Sequence, residues 1–180
     1  MRVFGIDPGS ERTGYGCVES DGSRHRLVAC GAIVTPPRLG FPAQLLRIHQ
    51  QLKALLAEFR PDCVAVESVF YAANVRSALK LGHARGVALL AAVEASHAVA
   101  EYTPAEIKRA VVGYGRAEKQ QVQEMVRMLL GLAEVPTPHD AADALAVAIC
   151  HLHNQGPVAV ADRLPAARSK PKSWRDMKVD

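Results

Sequence analysis

Four carboxylates stand where a fold could gather them. Asp7 ends an apolar run, residues 2–6, that breaks at Pro8-Gly9, and Glu67 ends a second β-rich run, residues 62–66. Asp140 and Asp143 lie three apart in a helical, alanine-rich segment, so both project from one face about a turn apart. Converging carboxylates repel, and without positive charge some of them hold a proton. Hard divalent cations with oxygen ligands answer that problem. Two such ions roughly 4 Å apart could clamp the attacking and leaving oxygens of a phosphodiester. Simpler accounts stand beside this one. Asp-Pro-Gly is ordinary turn chemistry, Asp140 suits the positive end of a helix, and Lys or Arg salt bridges could satisfy the same groups. Asp143 is the hardest to explain in this way, because its neighbours are almost wholly Ala, Leu, Val and Ile. A carboxylate buried there needs a cationic partner.

The elements around these residues follow from periodicity. Residues 13–18 resume an apolar pattern soon after Asp7 and form a hairpin with the first strand, and residues 26–35 add a third strand that Pro36-Pro37 ends. Residues 42–60 carry Leu45, Leu46, Ile48, Leu52, Leu55, Leu56 and Phe59 at helical spacing, closed by Arg60-Pro61. Strand 62–67 follows by a crossover, so Glu67 reaches the edge that Asp7 occupies only if the two strands are parallel neighbours. A helix over 75–97 carries Gly82 and Gly86 four apart, small enough for another backbone to approach, whether the protein's own sheet or a second subunit. Residues 98–102 are a fifth strand, and Thr103-Pro104-Ala105-Glu106 spells a helix start with a capping box. The Gly113-Tyr114-Gly115 loop leads to a helix over 117–132, and a last helix spans 140–153. The expected fold is α/β: three antiparallel strands, then parallel strands, in a mixed five-stranded sheet with helices on both faces. Residues 1–155 form one domain, and 156–180, rich in Pro, Ala, Lys and Arg, form a flexible basic tail.

Composition limits the function classes. The 180 residues allow one lobe rather than two, and the formal charge of +4 with a pI near 9.0 leans toward a polyanionic partner. No apolar run could cross a bilayer and no export signal opens the chain, so a cytoplasmic protein with no membrane partner is expected. Cys17, Cys30, Cys63 and Cys150 are scattered without paired spacing and read as reduced, buried thiols.

The motifs GIDPGS (5–10), TGYG (13–16), VESVF (66–70), SALKLGHARG (77–86), VVGYGRAEKQQVQ (111–123) and HDAADALAVAICH (139–151) occur in an order that resembles the RuvC family of Holliday junction resolvases, in the ribonuclease H-like superfamily. The resemblance implies a ribonuclease H-like fold and a homodimeric endonuclease of recombination and repair. Such an enzyme cuts two opposed strands of a four-way DNA junction symmetrically, leaving 5′-phosphate and 3′-hydroxyl ends. It prefers a short thymine-containing sequence and works with the branch-migration proteins RuvA and RuvB. Asp7, Glu67, Asp140 and Asp143 match the family's catalytic acidic ligands of Mg²⁺, two ions per site with Mn²⁺ as a substitute; some members carry His at the position of Asp140. Lys108 and Lys119 match basic residues of DNA binding and catalysis. Phe70 matches an aromatic that contacts bases at the junction point, although its position after Glu67 also suits a hydrophobic staple. His139 reads as a surface histidine, and His151 and His153, two apart, face different ways.

Three rivals remain at this point. An actin-like phosphotransferase opens with a similar acidic hairpin but closes two lobes on its nucleotide. A non-catalytic junction scaffold would not need the full acidic set. A ribonuclease H-like enzyme acting on RNA–DNA hybrids or on ribosomal RNA shares the metal chemistry and differs only in substrate.

Overall fold

The computed structural model describes residues 1–36, 38–68 and 74–155. The five strands are β1 (Arg2–Asp7), β2 (Arg12–Ser20), β3 (His25–Val34), β4 (Cys63–Glu67) and β5 (Ala98–Tyr102). They form one sheet in the order β3-β2-β1-β4-β5. β1 pairs antiparallel with β2 and β2 with β3, whereas β1–β4 and β4–β5 are parallel. The parallel condition on Glu67 is therefore met, since the crossover through α1 (Phe41–Phe59) returns β4 beside β1.

Strand alternation divides the core into two layers. Phe4, Ile6, Cys17, Val64 and Val66 face α1 and α2 (Val75–Glu94), while Val3, Val18 and Ala65 face the other way, toward α3 (Pro104–Val112), α4 (Lys119–Leu129) and α5 (His139–Asn154). Helices cover both faces, as expected. Thr103 caps α3 by accepting from the Glu106 amide, the Glu106 carboxylate accepts from the Thr103 amide at 2.7 Å, and Pro104 takes the first turn. Two helices are shorter than their periodicity suggested. α2 stops at Glu94, because Ser96 turns the chain with φ 60 before β5. α4 starts at Lys119 because Glu118 is spent as its cap, and it ends at Leu129 before Gly131 at φ 62.

Where α5 crosses β1 and β2, the face of the sheet is floored by glycines. A Cβ on Gly5 would lie 2.1 Å from the Ala144 carbonyl oxygen, one on Gly14 2.0 Å from that of Asp140, and one on Gly16 2.7 Å from Leu145 Cγ. α5 answers with Ala141, Ala142, Ala144, Ala146 and Ala148, all buried. Helix backbone thus rests on strand backbone, closer than any pair of larger residues permits.

The glycines of α2 behave differently. A Cβ on Gly82 or Gly86 meets nothing within 4 Å, so neither packs on the protein's own sheet. They lie with Leu45, Leu79 and Leu90 along an open groove of 480 Å³. All four cysteines are free thiols. Among the described residues no helix is long and apolar enough to cross a membrane.

Candidate active site

The parallel register sets the first half of the site. Ile6 lies opposite Val66, so the next residues, Asp7 and Glu67, emerge side by side at the ends of β1 and β4. Alternation puts both on the face that carries Gly5 and Ala65, under α5. Asp7 also pairs in register with Gly14, against whose Cα the backbone of Asp140 is pressed. The glycine floor therefore delivers the first two turns of α5 directly onto Asp7.

The loop after Asp7 is fixed by hydroxyls. Thr13 is fully buried, and its Oγ1 donates to the Gly9 carbonyl at 2.7 Å. Thr35 Oγ1 donates to the carbonyl of Ser10 at 2.7 Å. Gly9 is required there, since a Cβ would lie 2.1 Å from the Arg12 carbonyl oxygen.

Asp7 feels all three other acids. Burial first, and then the charges of Glu67, Asp143 and Asp140, push its carboxyl up from 3.8 to about 9. Glu67 is raised as well, chiefly by burial and then by Asp143, against the hydrogen bond from Asp7 and the charges of Lys119 and Lys108. Burial and mutual repulsion thus favour a proton on this adjacent pair, on Asp7 above all. Asp140 occupies the first turn of α5, where the helix dipole favours a carboxylate, and Arg12 Nε lies 3.8 Å from it. Asp143 finds the cation its apolar surroundings demanded, with Lys119 Nζ 2.6 Å from Oδ2.

Lys119 opens α4 and Lys108 sits on α3, and both reach a cavity of 300 Å³ that Glu67 and Asp143 also line, over Ile107 and Val122. The two lysines therefore share one cleft with Glu67 and Asp143. Phe70 lies outside the described residues, as does the tail from 156. His139 is exposed against Gln123, at 3.2 Å. His151 and His153 diverge as expected: His151 Nδ1 is 2.8 Å from the Tyr102 hydroxyl, and His153 Nδ1 is 2.9 Å from the Ala110 carbonyl oxygen.

The donor set suits a hard cation. Four carboxylates, with Asp7 and Glu67 half-buried at the strand ends, offer oxygen alone, which matches Mg²⁺-like ions and not thiolate- or imidazole-seeking ones. As the side chains stand, no three Asp, Glu, His or Cys among the described residues are gathered tightly enough to grip an ion together. The α5 pair faces Lys119 and Arg12 instead.

Sequence reasoning passed over Arg12, Thr13 and the three floor glycines. TGYG was visible as a strand, but nothing in it says that a helix would rest on its glycines.

Comparison with known proteins bears directly on this arrangement. The family model described as crossover junction endodeoxyribonuclease RuvC matches residues 3–151. A protein of that name from Pelobacter propionicus is 53% identical over 178 residues, covering 99% of both chains. One from Syntrophomonas wolfei is 53% identical over 154 residues, covering 86% of this chain and 90% of the relative. Among solved structures, T. thermophilus RuvC in complex with Holliday junction substrate superposes with a TM-score of 0.82 at 41% identity, covering 86% of this chain and 94% of that one. The sheet order and the helices on both faces are thus those of a ribonuclease H-like fold. With the match running from β1 into α5, the chain belongs to the crossover junction endodeoxyribonuclease RuvC family.

Proposed function

We propose that this chain is a structure-selective endonuclease that resolves Holliday junctions in recombination and repair. It hydrolyses two opposed strands symmetrically to leave 5′-phosphate and 3′-hydroxyl nicks. The observation that supports this reading is the side-by-side emergence of Asp7 and Glu67 under the first turns of α5, which carry Asp140 and Asp143, beside a cleft that Lys108 and Lys119 line with Glu67 and Asp143. The four acids would hold Mg²⁺, two ions per site, with Mn²⁺ as a substitute. When bound, such ions supply Lewis-acid stabilisation of charge on the attacking and leaving oxygens. Asp7 must give up its proton to take part, and Glu67 beside it can then act as a full carboxylate. Lys108 and Lys119 position the scissile strand by its phosphates, and Phe70 is assigned to bases at the junction point.

Paired cuts call for two active sites related by a two-fold axis, as the junction is. The α2 face supports a homodimer, since Leu79 is 59% exposed and Leu90 52% exposed on either side of two glycines that leave room for a partner's backbone. Leu79→Glu combined with Leu90→Glu is expected to shift the sedimentation coefficient from dimer to monomer, with unchanged far-UV circular dichroism. Paired nicking should fall with it. A dimer that persists would place the interface elsewhere. RuvA and RuvB are the proposed partners and the cytoplasm the proposed location; residues 156–180 are proposed to be a basic tail outside the nuclease domain.

The test is a labelled four-way junction beside linear duplex of the same sequence, with Mg²⁺ or with EDTA, on denaturing gels. Symmetric nicks on the junction alone, and only with metal, are the expected result. Junction binding without nicking would point to a scaffold, and cleavage of RNA–DNA hybrid in preference to the junction would overturn the substrate.

A further inference from the structure

Both α5 carboxylates are already held by cations that belong to the protein. Lys119 Nζ lies 2.6 Å from Asp143 Oδ2, and Arg12 Nε lies 3.8 Å from Asp140 Oδ2. Lys119 is the more exposed member of its pair, with its side chain 60% exposed against 22% for that of Asp143. It opens α4 at the rim of the cleft that Lys108 shares, so its ammonium can swing from the carboxylate to a phosphate without any backbone change.

We propose that Lys119 is a displaceable internal counter-ion of Asp143, so that entry of the divalent metal and capture of a DNA phosphate by Lys119 are one exchange. The inference rests on the metal-dependent reading given above. A divalent ion and an ammonium cannot both take the same carboxylate oxygen at full strength. Metal binding at Asp143 releases Lys119, which then faces the phosphate; a phosphate that draws Lys119 away leaves Asp143 open to the metal. By linkage each event favours the other to the same extent. The free enzyme is thereby kept from committing its site to metal before DNA arrives. Arg12 stands in the same relation to Asp140, more weakly, because 3.8 Å is a loose contact.

A purely DNA-binding role for Lys119 predicts nothing about metal affinity in the absence of DNA, and that difference is the test. Mn²⁺ binding to the DNA-free, full-length protein would be measured by calorimetry and by the electron paramagnetic resonance of the free ion. The wild type would be compared with Lys119→Gln, Lys119→Arg and Asp143→Asn, each checked for an unchanged melting temperature in EDTA. Lys119→Gln should bind Mn²⁺ about fivefold more tightly than wild type, the factor that a part-buried ion pair of this kind supplies. Lys119→Arg, which keeps the pair, should stay close to wild type, and Asp143→Asn should bind more weakly. Equal or weaker Mn²⁺ binding by Lys119→Gln, with Asp143→Asn still impaired, would overturn the exchange and leave the metal site standing. If no form binds Mn²⁺, the metal-dependent reading itself fails and the exchange goes with it.

Discussion

Asp7→Asn is expected to lower junction cleavage by about a thousandfold or more while raising the melting temperature of the metal-free protein at pH 8. The loss follows from removing a carboxylate from a site whose chemistry needs several kcal/mol of charge stabilisation at the reacting phosphate. The gain in stability follows from the state of that carboxyl in the fold. The unfolded chain ionises Asp7 near its ordinary value of 3.8, whereas the native protein keeps it protonated up to about 9. Between those values unfolding releases a proton, so stability is full below 3.8 and falls as pH rises through the window. An amide in the same place carries no charge to bury, can still donate to Glu67, and lifts the penalty, by on the order of 1–2 kcal/mol at pH 8. Thermal melts in EDTA across pH 5 to 9 check this directly. The melting curves of the two proteins should converge at low pH and separate as pH rises. A variant that melts lower than wild type at pH 8 would mean that Asp7 is there to hold the hairpin together.

The second large effect is on a residue with no side chain. Gly14→Ala should cost at least about 2–3 kcal/mol and reduce cleavage about a hundredfold or more beyond what lost folding explains. Its Cβ would sit 2.0 Å from the Asp140 carbonyl oxygen, and backbone cannot step aside as the end of a flexible side chain can. The strain is relieved only if α5 lifts from β2, and that lift carries Asp140 and Asp143 away from Asp7. A displacement of about 1 Å is enough to cost about a hundredfold in rate. Gly5→Ala should behave alike, with Ala144 oxygen 2.1 Å and Ala148 nitrogen 2.8 Å from the new carbon. Urea unfolding and single-turnover cleavage, measured on the folded fraction, separate the two losses. Full activity per folded molecule in Gly14→Ala would show that the α5 acids need no such close seating.

One consequence of the proton on Asp7 concerns conditions rather than residues. Because Asp7 must release its proton when metal binds, metal affinity should rise with pH through the neutral range. The same group therefore makes the empty site less stable and the metal-loaded site more readily formed as pH increases.

Much of this arrangement was legible in the sequence. The apolar runs ending in Asp7 and Glu67, the three-residue spacing of Asp140 and Asp143, and the Thr103–Glu106 cap are local patterns, and periodicity reports local geometry faithfully. The family motifs, read in order, carried the function and named Lys108 and Lys119 before any contact was known. The stretch containing Phe70 and the tail are known from sequence only. Tertiary structure decided which faces meet. Nothing in TGYG distinguishes a glycine that turns a chain from one that floors a helix; only the 2.0 to 2.7 Å distances under α5 do so. Nothing in 24 residues of separation pairs Lys119 with Asp143, nor does spacing bring Arg12 to Asp140. The open side of Gly82 and Gly86 likewise appears only once α2 has chosen which stripe to bury. The physical reason is one of range: a residue's neighbours in sequence set which way it points, whereas what it points at is settled by burial and shape summed over the whole chain.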